Sequence, residues 1–305
     1  MKRLIIAGGT GFLGTVLQQY FKNRFSQIII LTRGKTVQRE NVKYVHWDGV
    51  TISGWESYLD HADVLINLTG KSVDCRYHQK NKAIILNSRI DATKVLQRAL
   101  EKCENPPSLW INSSTATIYR HSEDTPMTEE HGEIGDDFSM NVAKKWEHSF
   151  FKDSLPKTRK VAMRTSIVMG RRGGAFIPLK NLTKLGFGGK QGNGNQMISW
   201  IHETDFARAV DHIIRSPDLS GVINVTAPKP VKNRVFMGML RKASGTIVGI
   251  PLPAFLLKIG AFFIRTETEL VLKSRFVIPS KLLASGFQFT YKHPEAALVE
   301  LVSKS

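Results

Sequence analysis

A glycine-rich turn near the start of the chain has the spacing of a phosphate-binding loop. Gly8, Gly11 and Gly14 stand at every third position, directly after the apolar run at residues 4–7. Such glycines allow a sharp turn, a close approach of a pyrophosphate to the main chain, and tight packing of the next helix on its strand. Residues 15–21 continue with helical apolar spacing. The pattern predicts a strand, turn and helix that bind a dinucleotide; the alternative is a purely structural glycine turn.

Arg33 follows the second apolar run of the chain, at residues 27–31. Dinucleotide-binding folds that prefer NAD carry an acidic residue at this place, where it holds the ribose hydroxyls. Here Thr32, Arg33 and Lys35 offer a hydroxyl, a guanidinium and an ammonium, which suit a 2′-phosphate. The sequence therefore favours NADP over NAD as the cofactor. The alternative is a surface arginine that begins a loop.

Short β-branched runs alternate with long helical segments in the first half of the chain. Predicted strands cover residues 4–7, 27–31, 42–45, 64–68, 108–113 and 161–167, and the clearest helices cover residues 81–103 and 141–151. This alternation is typical of an α/β fold with a parallel sheet. Ligands of such sheets bind at the carboxyl ends of the strands, so the loops that follow these runs are the expected site.

The sequence changes in character after Gly170, first to glycine-rich loop and then to short helices. We predict a Rossmann-type doubly wound parallel sheet over residues 1–170, completed by later segments around residues 195–228. A smaller, mainly helical substrate-side region is expected over residues 171–305, with a C-terminal segment from about residue 230 to residue 305.

The chain is strongly basic, with 43 Lys and Arg against 26 Asp and Glu and a formal net charge of +17. The cations are spread along the chain without a dense tract. A solvated basic surface is therefore favoured, nucleic acid is not expected as a partner, and contact with an anionic surface stays open. Two cysteines without C-x-x-C spacing, and no secretory leader, predict a cytoplasmic protein.

One apolar stretch, residues 247–264, approaches the minimum length of a membrane span. It contains Pro251, Pro253 and Lys258, which favour a loop followed by an amphipathic helix over residues 254–264. A helix buried in the core is favoured over a helix on a membrane surface. No integral membrane segment is predicted.

Several motifs together resemble the extended short-chain dehydrogenase/reductase superfamily, which contains the NAD-dependent epimerases and dehydratases. They are the turn at residues 8–14, Asp48, the strand end at 67–70, and the runs at 113–119 and 164–170. A narrower resemblance is to the uncharacterised bacterial epimerase family, with its family-specific C-terminal domain. It lies in residues 87–90, in residues 199–202 with Asp205, and in residues 224–231 and 278–287.

The resemblance implies cofactor contacts at the carboxyl edge of the sheet. Under the pyrophosphate it implies Gly8, Thr10, Gly11, Phe12, Leu13 and Gly14. It also implies Arg33 near the adenosine phosphate, Asp48 near the adenine, and Leu68, Thr69 and Gly70 beside the ribose. In the alternative interpretation, Asp48 only caps a turn and residues 68–70 have ordinary strand-end geometry.

Catalysis in the superfamily, as the resemblance implies, uses a serine or threonine that binds the reacting oxygen and a Tyr-x-x-x-Lys pair on one helix face. Thr115 matches the first position. Ser139 and Ala143 stand where the tyrosine and lysine are expected, while Lys144 and Lys145 are one or two residues out of phase. The usual proton donor is therefore missing.

Other candidate proton donors are Tyr119, His202 and Lys145. Packing at the end of the sheet is the favoured interpretation of Tyr119. His202 and Asp205 could form a tuned acid/base pair, but the favoured alternative is that they lock a loop onto a helix N-terminus.

Arg89, Arg164 and Trp200 are the candidate substrate contacts. The two guanidiniums suit an anionic group of a substrate. For Arg164, a structural ion pair is an equally favoured interpretation. No metal site is predicted, because the nine histidines include no His-x-x-x-His pair and no cluster with cysteine.

The sequence thus predicts an atypical NADP(H)-binding oxidoreductase or epimerase-like protein that transfers hydride to or from an unidentified small molecule. Thr115 would orient the substrate oxygen. The missing Tyr-x-x-x-Lys pair favours an alternative, a catalytically degenerate NADP(H)-binding sensor or partner-binding protein.

Overall fold

A mostly parallel sheet forms the core of the protein in the computed structural model, which describes residues 2–257 and 269–303. Its eight strands are β1 (Arg3–Ala7), β2 (Gln27–Thr32), β3 (Val37–Arg39), β4 (Val42–His46), β5 (Val64–Asn67), β6 (Leu109–Thr115), β7 (Arg159–Thr165) and β12 (Gly221–Val225). Their order in the sheet is β12-β7-β6-β5-β1-β2-β4-β3. Every neighbouring pair is parallel except β3 and β4.

Helices cover both faces of this sheet, because successive residues of a strand point to opposite sides. In β1, Leu4 and Ile6 pack on the side of α1 (Phe12–Phe21) and α5 (Glu203–Arg215). Ile5 and Ala7 pack on the side of α2 (Gln79–Glu101) and α3 (Phe138–Phe151). The centre of the sheet is therefore buried on both faces, and the interiors of β1, β2 and β5 are continuously apolar.

A smaller region, mainly helical, is built from the second half of the chain. Its strands are β8 (Ile167–Gly170), β9 (Gly173–Gly174), β10 (Met197–Ile198), β11 (Trp200–His202) and β13 (Val231–Lys232). Its helices are α4 (Phe176–Leu182), α6 (Asn233–Ala243), α7 (Glu269–Leu272), α8 (Ser280–Ala284) and α9 (Pro294–Ser303). Phe176, Trp200, Phe236 and Leu298 share one apolar core.

The predicted α/β fold with a doubly wound parallel sheet is confirmed, with two differences in the strands. The antiparallel edge strand β3 was not predicted. The run at residues 161–167 is two strands, because the chain changes partner at Ser166. Ser166 donates its N–H to Val225, whereas Ile167 donates to Ser199 and enters the sheet β11-β8-β9. The division of the chain into residues 1–170 and 171–305 stays a prediction.

The helix predicted over residues 254–264 is described only in part. Residues 254–257 are helical, and residues 258–264 lie outside the described residues. Phe255 and Leu256 are 62% and 41% exposed. The described turn of this helix therefore lies at the surface, contrary to the expected position in the core. Within residues 2–257 and 269–303, every helix is too short or too polar to cross a membrane.

Candidate functional site

The glycine turn is a tight cradle at the carboxyl end of β1. Gly8 has a φ of 71°, which favours glycine, and its N–H donates to the carbonyl of Leu31 over 2.9 Å. A Cβ on Gly14 would lie 2.1 Å from the carbonyl oxygen of Gly9, whereas a Cβ on Gly11 would meet no atom within 4 Å. The turn is therefore closed towards the sheet and open beside Gly11.

The N-terminus of α1 begins at this open side. Its N-cap, Gly11, has no side chain to accept the first N–H groups of the helix, which also lack partners within it. The ring of Phe12 packs against the β8–β9 hairpin, where a Cβ on Gly170 or Gly173 would lie within 2.4 Å of it. Free N–H groups at the positive end of a helix dipole suit a pyrophosphate.

The loop after β5 closes the cradle from the next strand. The carbonyl of Ala7 accepts the N–H of Leu68, and the side chain of Asn67 accepts the N–H of Thr69 over 3.0 Å. A Cβ on Gly8 would lie 2.9 Å from the Cα of Thr69. The hydroxyl of Thr69 is buried and has no hydrogen-bond partner among the described residues. A ligand that supplies such a partner would relieve the cost of this burial.

Arg33 lies at the end of β2, as the sequence predicts. Its side chain is exposed and makes no hydrogen bond or ion pair with the described residues. The preceding strand ends in Thr32, whose hydroxyl accepts the N–H of Gly34 over 3.3 Å. No carboxylate occupies the place of an NAD-preferring acid, since residues 31–36 contain none.

Asp48 caps a turn just after β4. One carboxylate oxygen accepts the N–H groups of Val50 and Thr51, both over 2.8 Å, and the other accepts the hydroxyl of Thr51 over 2.6 Å. These bonds, led by that of the hydroxyl, lower the pKa of Asp48 to about 2. This is the capping role that the alternative interpretation expects, and contact with an adenine stays a prediction.

Arg89 brings a positive charge to the loop after β5. A Cβ on Gly70 would lie 3.0 Å from its guanidinium carbon, which stands 5.0 Å from the ring centre of Trp146. The guanidinium donates to the carbonyls of Lys71 and Ile85. Burial lowers the pKa of Arg89 to about 10, and no carboxylate of the described residues pairs with it. Such a charge suits an anionic ligand.

Thr115 ends β6 at the same edge of the sheet. Its Oγ1 accepts the N–H of Thr117 over 3.1 Å, which starts a 3₁₀ turn over Ala116–Ile118. The hydroxyl hydrogen donates to no described residue. Thr115 is half-buried, so this hydroxyl can still donate to a ligand oxygen.

Ser139 and Ala143, the two positions without the expected tyrosine and lysine, lie in the first half of α3. Ser139 donates its hydroxyl to the carboxylate of Glu269 in α7, and Ala143 is fully buried. Lys273 pairs with Asp137 and lies 3.6 Å from Glu269. Sequence reasoning missed Glu269 and Lys273, because no spacing pattern relates residues 130 positions apart.

Tyr119 and Arg164 belong to a buried polar network. Arg164 forms two hydrogen bonds to the carboxylate of Glu147, over 2.9 and 2.7 Å, and a third to the hydroxyl of Tyr119. Tyr119 donates to Asn224 in β12 over 2.9 Å. Burial lowers the pKa of Arg164, but the bonds and charge of Glu147 outweigh it and raise the pKa overall. Burial raises the pKa of Tyr119 against the effect of Arg164. Neither group has a surface left for a ligand.

His202 and Asp205 hold the start of α5. His202 Nδ1 accepts the N–H of Thr204 over 3.1 Å, and Nε2 lies 3.1 Å from a carboxylate oxygen of Glu300. Asp205 accepts the N–H groups of Thr290 and Tyr291. Burial lowers the pKa of His202, while Glu300 opposes the shift. These contacts agree with the alternative in which His202 and Asp205 lock a loop onto the N-terminus of a helix.

Trp200 is buried in the core of the smaller region. Its indole N–H donates to the carbonyl of Lys229 over 3.0 Å, and its ring is fully covered. The ring of Trp200 therefore has no exposed surface with which to contact a substrate directly, although the sequence predicts such a contact. Across residues 2–257 and 269–303, no three His, Cys, Asp or Glu side chains are grouped to hold a metal ion.

The cradle, the open helix N-terminus and the strand-end arginine lie within a segment that matches a known family. A model of the NAD dependent epimerase/dehydratase family matches residues 4–226. The chain belongs to this family. A second model, described as a domain of unknown function (DUF1731), matches residues 252–301.

Several relatives match this chain over nearly its whole length. Epimerase family protein YfhF of Bacillus subtilis is 33% identical over 98% of both chains. The crystal structure of human epimerase family protein SDR39U1 with NADPH has a TM-score of 0.89 and 31% identity over 99% of this chain and 100% of that one. A nucleoside-diphosphate sugar epimerase from Corynebacterium glutamicum has a TM-score of 0.79 and 27% identity, over 99% of this chain and 58% of that chain.

The Glu147→Ala variant should be strongly destabilised. It leaves the guanidinium of Arg164 buried without its counter-charge, which costs about 3–5 kcal/mol. Urea unfolding of the pure protein measures the loss. Glu40→Ala is the matched control, because Glu40 forms an exposed ion pair with Lys22; it should unfold close to the wild type. Equal stability of the two variants would contradict the role of the network.

The His202→Asn variant should lose less stability in acid than the wild type. The unfolded chain binds a proton at residue 202 below about pH 6.5, whereas the folded protein resists protonation there. Stability is therefore lost as the pH falls through and below that value, and asparagine keeps an acceptor for the helix cap without titrating. Thermal unfolding from about pH 7.5 to about pH 5 tests this. The same slope for both proteins would rule out a buried, neutral His202.

Proposed function

We propose that this protein binds NADP(H) in preference to NAD(H). The observation that carries the proposal is Arg33, an exposed guanidinium without a protein partner among the described residues, at a strand end that lacks an acidic residue. A guanidinium pairs with a phosphate through two hydrogen bonds, and the ribose hydroxyls of NAD would find no carboxylate here. The NADPH in the structure of the human relative supports the same choice.

The residues around the cradle suit the rest of this dinucleotide. The uncapped first turn of α1, at Phe12 and Leu13, would hold the pyrophosphate. The unsatisfied hydroxyl of Thr69 would bind a ribose oxygen beside Leu68 and Gly70. Thr10, next to the open side of Gly11, would lie along the phosphates.

Arg89 is the second cation that we assign to a ligand. It lies against Gly70, its charge has no carboxylate partner among the described residues, and burial already weakens its hold on the proton. An anionic group of the cofactor or of the substrate would restore the balance of charge.

The proposed reaction is hydride transfer to or from a small carbonyl or alcohol. The nicotinamide supplies the hydride chemistry when it is bound. Thr115 is the residue that orients the substrate oxygen: Thr117 donates to its Oγ1, which turns the free hydroxyl hydrogen away from the 3₁₀ turn. Ser139 is already bound to Glu269, and Tyr119 is buried, so neither is assigned as the proton donor.

A second candidate function is an NADP(H)-binding sensor or partner-binding protein without catalysis. Ala143 and Ser139 at the positions of the usual lysine and tyrosine favour it. For either function we propose the cytoplasm as the compartment, since Cys75 and Cys103 are both free thiols.

The Arg33→Ala variant should bind NADPH about 10- to 100-fold more weakly, because it loses a charge-assisted contact with the 2′-phosphate. Its affinity for NADH should stay unchanged. Calorimetric titration of both cofactors measures the two affinities, with Lys94→Ala, an exposed cation of α2, as the control. Equal loss of both cofactors, or no loss of NADPH, would reject the role of Arg33.

The two candidate functions differ in turnover. Aldehydes and ketones are incubated with NADPH, and sugar nucleotides and other alcohols with NADP+. Absorbance then follows the consumption or the formation of NADPH. For any substrate found, Thr115→Val should lower kcat by about 10²- to 10³-fold with NADPH affinity unchanged, and Thr115→Ser should keep activity. Tight NADPH binding without turnover of any compound would favour the sensor.

A further inference from the structure

Two neighbouring segments of the smaller region expose a cluster of large apolar side chains. The first, at residues 183–190, exposes Leu185 and Phe187, and the second follows α6. Leu185 is 73% exposed and Ile247 is 97% exposed. Single exposed apolar residues are ordinary, but a contiguous group marks an interaction surface. We call this group the apolar patch; it consists of Leu185, Phe187, Ile247, Val248, Ile250, Phe255 and Leu256.

Backbone hydrogen bonds join the first segment of the patch to residues 250–252 of the second. Ile250 donates its N–H to the carbonyl of Gly186 over 2.8 Å, and Gly189 donates to the carbonyl of Ile250 over 3.2 Å. The side chain of Arg241 in α6 packs against both segments, so closely that a Cβ on Gly188 or Gly249 would overlap it. The apolar side chains therefore project from a backbone that is held in place.

The two stretches of chain that form the patch carry charges of one sign. Residues 171–202 contain five Lys and Arg, residues 219–266 contain seven, and neither stretch contains Asp or Glu. These two stretches include both segments of the patch. Lys184 and Lys190 flank Leu185 and Phe187 in the chain and are exposed. Arg234 is also exposed and lies beside Lys190, since a Cβ on Gly194 would touch both side chains.

We propose that the apolar patch docks this protein on the surface of a membrane that contains anionic lipids. Apolar side chains on loop tips insert between lipid headgroups, and the surrounding cations pair with anionic headgroups. A second copy of the chain fits less well, because face-to-face contact would bring together two stretches that carry only positive charge.

Vesicle flotation with the full-length protein tests the proposal. Vesicles of phosphatidylcholine alone are compared with vesicles that contain about 30% phosphatidylglycerol. The protein should float with the anionic vesicles only, and raising the salt from about 0.1 M to about 1 M should weaken the binding, because salt screens the charges.

Variants separate the apolar and the charged contributions. Leu185→Ser/Ile247→Ser should reduce partition into anionic vesicles by at least about ten-fold, since two large side chains no longer leave water. Lys184→Glu/Lys190→Glu should remove the preference for anionic lipid. Val299→Ser is the matched control, because Val299 is 52% exposed on α9 outside the patch. The circular dichroism spectrum and thermal unfolding of every variant check that it is folded.

Three results would overturn the proposal. They are equal binding to neutral and anionic vesicles, unchanged binding by Leu185→Ser/Ile247→Ser, and no binding of the wild-type protein to either vesicle. If the wild type is a dimer by light scattering, binds no vesicles, and becomes a monomer in that same variant, a second copy covers the patch. Neither test depends on which cofactor the protein binds.

Discussion

The buried ion pair between Glu147 and Arg164 is the interaction on which the carboxyl edge of the sheet depends. Arg164 lies in β7, Glu147 in α3, and Tyr119 connects Arg164 to Asn224 in β12. Ser114 in β6 donates to the same carboxylate over 2.5 Å. Because a buried charge is costly unless it is paired and fully hydrogen-bonded, each of these elements must keep its position for the others to stay satisfied. The strand end that carries Thr115 is thereby held in place.

This network also gives a reason why the usual Tyr-x-x-x-Lys pair is absent from α3 and is not merely shifted along the helix by one or two residues. Ala143 lies in one buried cluster with Tyr119, and the guanidinium of Arg164 stands 4.9 Å from the centre of the Tyr119 ring. A lysine at position 143 would bring a second cation into this cluster, and the carboxylate of Glu147 already accepts hydrogen bonds from Arg164 and Ser114. The buried surroundings of Ala143 therefore disfavour a lysine at this position.

Local patterns predicted the strands, the long helices and the glycine cradle, because each depends on residues within about one turn or strand of one another. The contacts that fix the side chains of the candidate site inside that frame join distant residues. Glu147 and Arg164 are 17 residues apart, and Ser139 meets Glu269 across 130. The apolar run that contains Phe255 illustrates a second limit. Apolar spacing predicts which residues form one face of a helix, but whether another element covers that face depends on the tertiary fold.

The cations of this protein have different roles in different places. Those that form ion pairs with buried carboxylates can be distinguished from those that have no such partner. Arg24, Arg164 and Arg208 each meet a buried or nearly buried carboxylate. Arg24 joins the turn after α1 to α5, Arg164 joins β7 to α3, and Arg208 pairs with Asp205 within α5. Arg33, Arg89, Lys184 and Lys190 have no such partner among the described residues. An unpaired cation at the surface contributes little to the stability of the fold, because water already solvates it well. Such a cation remains free to pair with an anion that approaches it. These four cations lie in two places, the edge of the sheet and the rim of the apolar patch. The first place also has uncapped N–H groups, and the second has exposed apolar side chains. A net charge of +17 alone indicates neither ligand. The proposals of a nucleotide at the first place and a lipid surface at the second depend on the neighbours of these cations.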